Sequence, residues 1–271
     1  MAKYVVFGAR GMAGVAAHHY FKSRGHNVTA VSRAEFDIAR DPADKIGTLV
    51  RGADAIVNCA GVIKPMIAKQ SVEDVLKVNA IFPRNLAKVA RQEKIPCFHL
   101  TTDCVWTGRT GAYDEDSTFD AEDLYGISKN AGDTPECMTL RTSIIGEERG
   151  QARSLIAWAQ SQKGKEVNGF VNHRWNGVTT LMFAKAVESI LTEGLYQPGI
   201  FHLHSPDTVT KAEMLRIFSR VYDLGLKVNE TNGAEFCDRS MTSKFPLASK
   251  LVKLTVEEQV RELRDFFKTI P

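Results

Sequence analysis

Val5-Val-Phe-Gly-Ala-Arg-Gly-Met-Ala-Gly14 is the stretch that decides the fold. An apolar, β-branched run ends in glycines at 8, 11 and 14, and a helical pattern follows. The reading is strand, tight turn, helix, the arrangement that holds a dinucleotide. Gly8 permits the turn, Gly11 lets the backbone approach a pyrophosphate, and Gly14 lets helix and strand pack closely. The helix N-terminus offers free N–H groups and a positive dipole end to phosphates. The spacing is Gly-x-x-Gly-x-x-Gly rather than Gly-x-Gly-x-x-Gly, so the position directly after a strand carries much of the argument.

Working outward, apolar runs alternate with helical patterns through the first half. Strands are expected at Tyr4–Phe7, Val28–Val31, Ala55–Asn58, Cys97–Thr101 and Met138–Arg141. Helices are expected near 12–24, 42–51, 71–93, 123–133, 151–163, 179–193, 210–223 and 255–268. Such alternation predicts an α/β fold with a Rossmann-like, doubly wound parallel sheet. Thr210 with Glu213, and Thr255 with Glu258, have the spacing of capping boxes. After about residue 145 the character changes, and Lys165–Thr180 reads as a polar, Gly- and Asn-rich loop. We expect a nucleotide-binding core over 1–145 and a smaller substrate-binding lobe over 146–271, with some segments returning to the core. In open α/β sheets ligands sit beyond the carboxyl ends of the strands, here Gly8, Ser32, Asn58, Thr101 and Arg141.

Composition narrows the function classes. Of 271 residues 44% are hydrophobic and 25% charged, and the net charge is +3. That balance suits an anionic ligand but is too small to argue for nucleic acid. The five cysteines are widely spaced without a Cys-x-x-Cys, which predicts reduced thiols in the cytoplasm and no zinc site. His202 and His204 lack a third ligand and make a poor metal site. No apolar run has the roughly 18 residues of a membrane span, and the opening does not read as a signal peptide.

The second strong feature is Tyr125-Gly-Ile-Ser-Lys129. Tyr and Lys at i and i+4 share one helix face. An ammonium beside a phenol stabilises phenolate, so Tyr125 is expected to exchange a proton nearer neutral pH than its free pKa of about 10. That is the demand on a general acid when hydride is delivered to a ketone. The strand before it ends in Thr101-Thr102-Asp103, which places a hydroxyl donor at a strand exit. Glycine turn, strand-end Thr and Tyr-x-x-x-Lys in this order predict a redox site.

At these residues the chain resembles the extended short-chain dehydrogenase/reductases, and within them the dTDP-4-dehydrorhamnose reductase group. The resemblance is carried by 5–14, Asp37-Ile38, Val-Asn-Cys-Ala-Gly (57–61), Val-Asn-Ala (78–80), Thr-Thr-Asp-Cys-Val-Trp-Thr-Gly (101–108), Leu-Tyr-Gly-Ile-Ser-Lys (124–129) and Leu-Arg-Thr-Ser (140–143), and more loosely by Trp-Asn-Gly-Val-Thr-Thr (175–180). It implies an NAD(P)H-dependent reductase of a 4-keto sugar nucleotide, with Tyr125 as proton donor, Lys129 as its activator and ribose ligand, and Thr102 as carbonyl partner. It also implies cofactor contacts at Gly8, Arg10, Gly11, Met12, Ser32, Arg33, Asp37, Ile38, Cys59, Ala60, Gly61 and Thr101, with Asn79 behind the site. Substrate contacts are implied at Val62, Thr102, Asp103, Cys104, Tyr125, Trp175, Asn176 and Arg239.

The residues leave alternatives beside that reading. Trp175 could pack, Arg239 could be an ordinary surface arginine, and Asp103 could cap its turn. Cys104 stands where the group usually has an aromatic residue, and is read as a pocket wall. Related 4,6-dehydratases place Glu there, so dehydration is disfavoured. Ser32-Arg33 at the second strand exit, with Arg10 nearby, predicts NADP(H) preferred and NAD(H) possible. A 4-epimerase with tightly bound NAD and a non-catalytic nucleotide-binding regulatory subunit remain as alternatives. Gly132 and Pro135 limit the Tyr-Lys helix to about two or three turns. A monomer is therefore expected, or a dimer not built on that helix.

Overall fold

β1 (Lys3–Phe7) forms from a run whose four apolar residues, Tyr4 to Phe7, are all buried. In the computed structural model, which describes residues 1–148 and 154–270, it pairs in parallel with β2 (Asn27–Val31) on one side and β3 (Ala55–Asn58) on the other. β4 (Cys97–Thr102) and β5 (Met138–Thr142) extend the sheet past β3. The strand Gly199–His202 closes that edge by pairing in parallel with β5. Among the described residues the sheet runs β2-β1-β3-β4-β5 and then Gly199–His202. The strand order reverses between β1 and β3, the crevice where such sheets bind ligands. Phe7 lies level with both Val31 and Asn58, so the three exits open side by side.

Every residue of β3 and β4 is buried, as expected of parallel strands covered on both faces. One face carries the helices Met12–Ser23 and Thr180–Thr192, which pack Ala17, Phe183 and Val187 onto Tyr4, Val57, Phe98 and Leu140. The other carries Lys45–Val50 and Phe82–Glu93, with Ile46 and Leu86 against Val5 and Ile56. A second core, built on Trp175, Leu215, Phe218, Val260 and Leu263, joins the helices Lys211–Val221 and Val256–Thr269. Both begin in the expected capping boxes.

Two expectations need correction, and a third falls partly outside the described residues. The predicted helix 71–93 is interrupted. It runs Val72–Leu76, then a π-helical segment Lys77–Ile81, then Phe82–Glu93. Pro83 has no N–H to give the carbonyl of Asn79 four residues back, so the ladder re-registers there. The polar stretch 165–180 is not a loop but holds short strands, Glu166–Phe170, His173–Trp175 and Val178–Thr179. The first alternates exposed and buried residues and pairs with Lys227–Thr231, far along the chain. The helix predicted at 151–163 is seen as Leu155–Ser161, and its expected first residues, 151–153, lie outside the described residues.

Candidate active site

The glycine turn leaves β1 with Gly8 at φ +72°, and a Cβ on Gly8 would lie 2.7 Å from the Ala60 Cα. A Cβ on Gly14 would lie 2.1 Å from the Gly8 carbonyl oxygen. The turn is tied to β2 through Gly8 N and Ala9 N, which donate to the Val31 carbonyl at 2.9 and 3.2 Å. Gly11 caps the helix that starts at Met12. A side chain there would touch only the Gly8 oxygen, at 3.3 Å. The backbone at the helix N-terminus is therefore bare, which fits close approach of a phosphate.

A cleft of about 1220 Å³ runs along the strand exits. Gly8, Arg10, Gly11 and Met12 line it from the turn, and Ser32, Arg33, Asp37 and Ile38 from beyond β2. Cys59, Ala60, Gly61 and Val62 line it from beyond β3, and Thr101 and Thr102 from the end of β4. Tyr125 and Lys129 reach the same cleft from the helix Leu124–Gly132. Residues 113 positions apart or more in sequence thus share one wall only because the sheet gathers its exits. His18 and His19, on the helix Met12–Ser23, also line this cleft.

The Tyr-Lys helix is capped by Asp123, which accepts from Gly126 N at 2.8 Å. Lys129 is buried, and its Nζ donates to the Leu100 carbonyl at 3.1 Å. Burial brings its pKa down to about 8, against the opposing pull of Asp133 and Cys59. Asn79 stands behind the site, as expected. Its Oδ1 accepts from Val62 N at 2.8 Å, and its Nδ2 donates to the Val62 carbonyl at 3.0 Å and to Ser128 Oγ at 3.1 Å. The amide thereby locks the loop after β3 to the helix that carries Tyr125.

The Thr102 hydroxyl donates to Asp103 Oδ1 and accepts from Cys104 N, both at 3.1 Å. Asp103 therefore fixes Thr102 rather than capping the turn itself. The expectation of a phenol lowered by Lys129 is not met. Burial pushes the Tyr125 pKa well up, Cys104 adds to the rise, and the neighbouring Thr102 hydroxyl offsets it only in part. Lys129 is not among the groups that move the phenol, and its ammonium is held on the Leu100 carbonyl.

Beyond Thr102 the site turns cationic. Arg239, read either as a substrate contact or as an ordinary surface arginine, is half-buried with Nε donating to the Trp106 carbonyl at 2.8 Å. Cys104 and Asp103 hold its pKa up against burial. Lys211, which sequence reasoning missed, shares this neighbourhood. Burial lowers its pKa while Asp103 and Cys237 raise it. Burial also pushes the Cys104 thiol up to about 12, so it stays neutral.

Trp175 and Asn176 stand apart from the cleft. Trp175 is buried in the second core. Asn176 spends its amide on Met241, donating to its carbonyl at 2.7 Å and accepting from its N–H at 2.8 Å. Arg141, though at a strand exit, turns inward to Asp133 at 2.7 Å and to His202 Nε2 at 3.0 Å. Among the described residues no group of three His, Cys, Asp or Glu side chains could hold a metal, and no helix is long and apolar enough to cross a membrane.

The chain is 29% identical over 155 residues to a dTDP-4-dehydrorhamnose reductase of Mycolicibacterium smegmatis, a stretch covering 53% of this chain and 46% of that protein. It therefore spans about half the length of that relative. It is 26% identical over 230 residues to a dTDP-4-keto-6-deoxy-D-glucose reductase of Streptomyces niveus, covering 81% of this chain and 78% of the other. The crystal structure of a Bacillus anthracis dTDP-4-dehydrorhamnose reductase in complex with NADP superposes with a TM-score of 0.81 over 100% of both chains, at 18% identity. At that identity the likeness speaks for the fold alone. The sequence matches the RmlD substrate binding domain family from residue 2 to 268, and the protein belongs to that family.

Proposed function

We propose that this protein is an NADPH-dependent reductase of a 4-keto-6-deoxy sugar nucleotide, accepting NADH as well. One observation carries the reading: Thr102, Tyr125 and Lys129 line the same cleft as the glycine turn. The bare N-terminus at Gly11 and the contact of Gly8 with Ala60 fit a dinucleotide pyrophosphate. Arg10, Ser32 and Arg33 face its adenosine end. A reduced nicotinamide supplies a hydride to C4.

The chain's own residues do the rest. With substrate bound, the Thr102 hydroxyl swings its single proton from Asp103 Oδ1 to the C4 carbonyl oxygen. Tyr125 gives its phenolic proton to that oxygen as the C–O double bond becomes a single bond. The raised phenol pKa keeps this proton in place until negative charge develops on the substrate oxygen. Lys129 then stabilises the phenolate left behind and holds the cofactor ribose. Arg239 and Lys211 face the sugar diphosphate, and Val62, Asp103 and Cys104 wall the sugar pocket. With its pKa pushed up to about 12, the Cys104 thiol is too weak an acid to protonate a leaving hydroxyl, so the reading is reduction and not dehydration.

The test is a panel of nucleotide-linked 4-keto sugars, with NADPH consumption followed by absorbance and the products by mass spectrometry. A product two mass units heavier than its substrate supports the assignment. Absence of turnover with every member of the panel, at protein concentrations that bind NADPH, defeats it. NAD retained through purification, with epimerisation of unreduced sugars, would replace it.

A further inference from the structure

At the exit of β2 the chain has built an anion site and filled it with its own carboxylate. The Ser32 N–H donates to Glu35 Oε2 at 2.8 Å, and the Ser32 hydroxyl donates to the same oxygen at 2.5 Å. Ser32 is itself only 8% exposed, whereas Glu35 lies on the surface and lines the cleft. The bend is rigid, because Glu35 N and Phe36 N both return to the Ser32 carbonyl, at 3.1 and 3.0 Å. The two Ser32 bonds, with the nearby Arg10 charge, hold the Glu35 carboxyl below its usual range. Arg10 and Arg33 line the same end of the cleft.

Two donors converging on one point, with guanidinium groups beside them, suit a phosphate oxygen as well as a carboxylate. The exit of β2 is where the adenosine ribose of a dinucleotide lies in sheets of this topology. A 2′-phosphate and the Glu35 carboxylate are both anions that need the same Ser32 donors, so they exclude and repel one another. A bare 2′-hydroxyl is different. It can donate to the carboxylate without displacing it.

We propose that Glu35 is a specificity-determining residue of the cofactor cleft, an internal competitor for the 2′-phosphate subsite formed by Ser32 and Arg10. It weakens binding of 2′-phosphorylated dinucleotides and leaves binding of unphosphorylated ones nearly unchanged. This role rests on the reading of the cleft as a dinucleotide site. It sets the margin by which NADPH is chosen over NADH.

The experiment is calorimetric titration of the full chain with 2′,5′-ADP and with 5′-AMP, fragments that report the subsite without any turnover. Glu35→Ala frees both the position and the charge, and Glu35→Gln removes the charge alone. Both variants are expected to bind 2′,5′-ADP about tenfold more tightly, the scale of one recovered charge-assisted hydrogen bond. Binding of 5′-AMP should stay within about twofold, since no phosphate contact at the ribose is involved. Adding Ser32→Ala to Glu35→Ala should abolish most of the gain. An unchanged ratio of the two ligands in Glu35→Ala overturns the proposal. So does selective loss of 5′-AMP binding, which would make Glu35 a partner of the 2′-hydroxyl only. Wild-type protein that binds neither fragment nor NADPH defeats the dinucleotide reading itself, and the role of Glu35 with it.

Discussion

Lys129 places a cation where water is excluded, and its pKa falls from the ordinary 10.5 to about 8 as a result. Below pH 8 the lysine is protonated both folded and unfolded, and the folded state carries the full penalty of a buried charge. Between about pH 8 and 10.5 the unfolded chain binds more protons than the folded one, so this penalty fades as pH rises. Lys129→Met removes it at every pH. The variant should therefore be more stable than wild type at pH 7 in urea titrations, with the gap closing by pH 10. A variant less stable at pH 7 would mean that the bond to the Leu100 carbonyl outweighs desolvation. Tyr125→Phe keeps the ring and removes only the acid. It should lower kcat by about 10²–10⁴, the usual contribution of general acid catalysis, and leave the NADPH Kd within about threefold. Turnover close to wild type would sink the proton-donor assignment. Both residues were legible because Tyr-x-x-x-Lys is a local spacing. Glu35 was legible too, through the Ser-x-x-Glu spacing that lets a carboxylate fold back on a hydroxyl, but the reading stopped at Ser32-Arg33. Lys211 gave no local signal, since it looks like any first-turn lysine after a capping threonine.

At the scale of elements, the site depends on how closely the Tyr-Lys helix lies on the π-helical segment. A Cβ on Gly132 would come within 1.9 Å of the Asn79 carbonyl oxygen. That oxygen stands free of Pro83, which cannot bond it. Gly132→Ala should push the helix end away, costing about 1–3 kcal/mol of stability as overpacking does. It should also reduce kcat more than it weakens NADPH binding, because the Gly8 turn lies elsewhere. Unfolding curves and steady-state rates on the same preparation check both. If stability and rate match wild type, the helix does not depend on that contact. The strand–turn–helix at 3–23 and the buried runs of β3 and β4 could be read directly, because each buries both faces with its own residues. For Trp175, packing was one of two open readings, and the choice could not be read locally. Its strand, His173–Trp175, is defined by pairing with Val209–Thr210 and Cys237–Asp238, partners that no local window contains.

For the whole molecule, the helix Leu124–Gly132 has nine residues, about two and a half turns. Ile81 and Ile127 stand about half exposed on the adjoining segments, at 51% and 49%. Two such residues are too few for the several apolar turns a four-helix bundle takes from each helix. Light scattering at micromolar protein should report a monomer, or a dimer whose mass survives Asn130→Lys. Loss of a dimer on that substitution would overturn the inference from helix length. Segments from beyond residue 145 also return to the first half. The helix Thr180–Thr192 covers the sheet and Gly199–His202 supplies its edge, so sequence from the second half completes the first. Such a chain cannot inherit its second half as a cassette. A crossover near residue 145 would strip the sheet of a strand and expose one of its faces. Under the proposed function, a change of sugar proceeds by small changes in the stretches that leave the sheet and return, such as those bearing Lys211 and Arg239, while the interleaved frame is passed on whole.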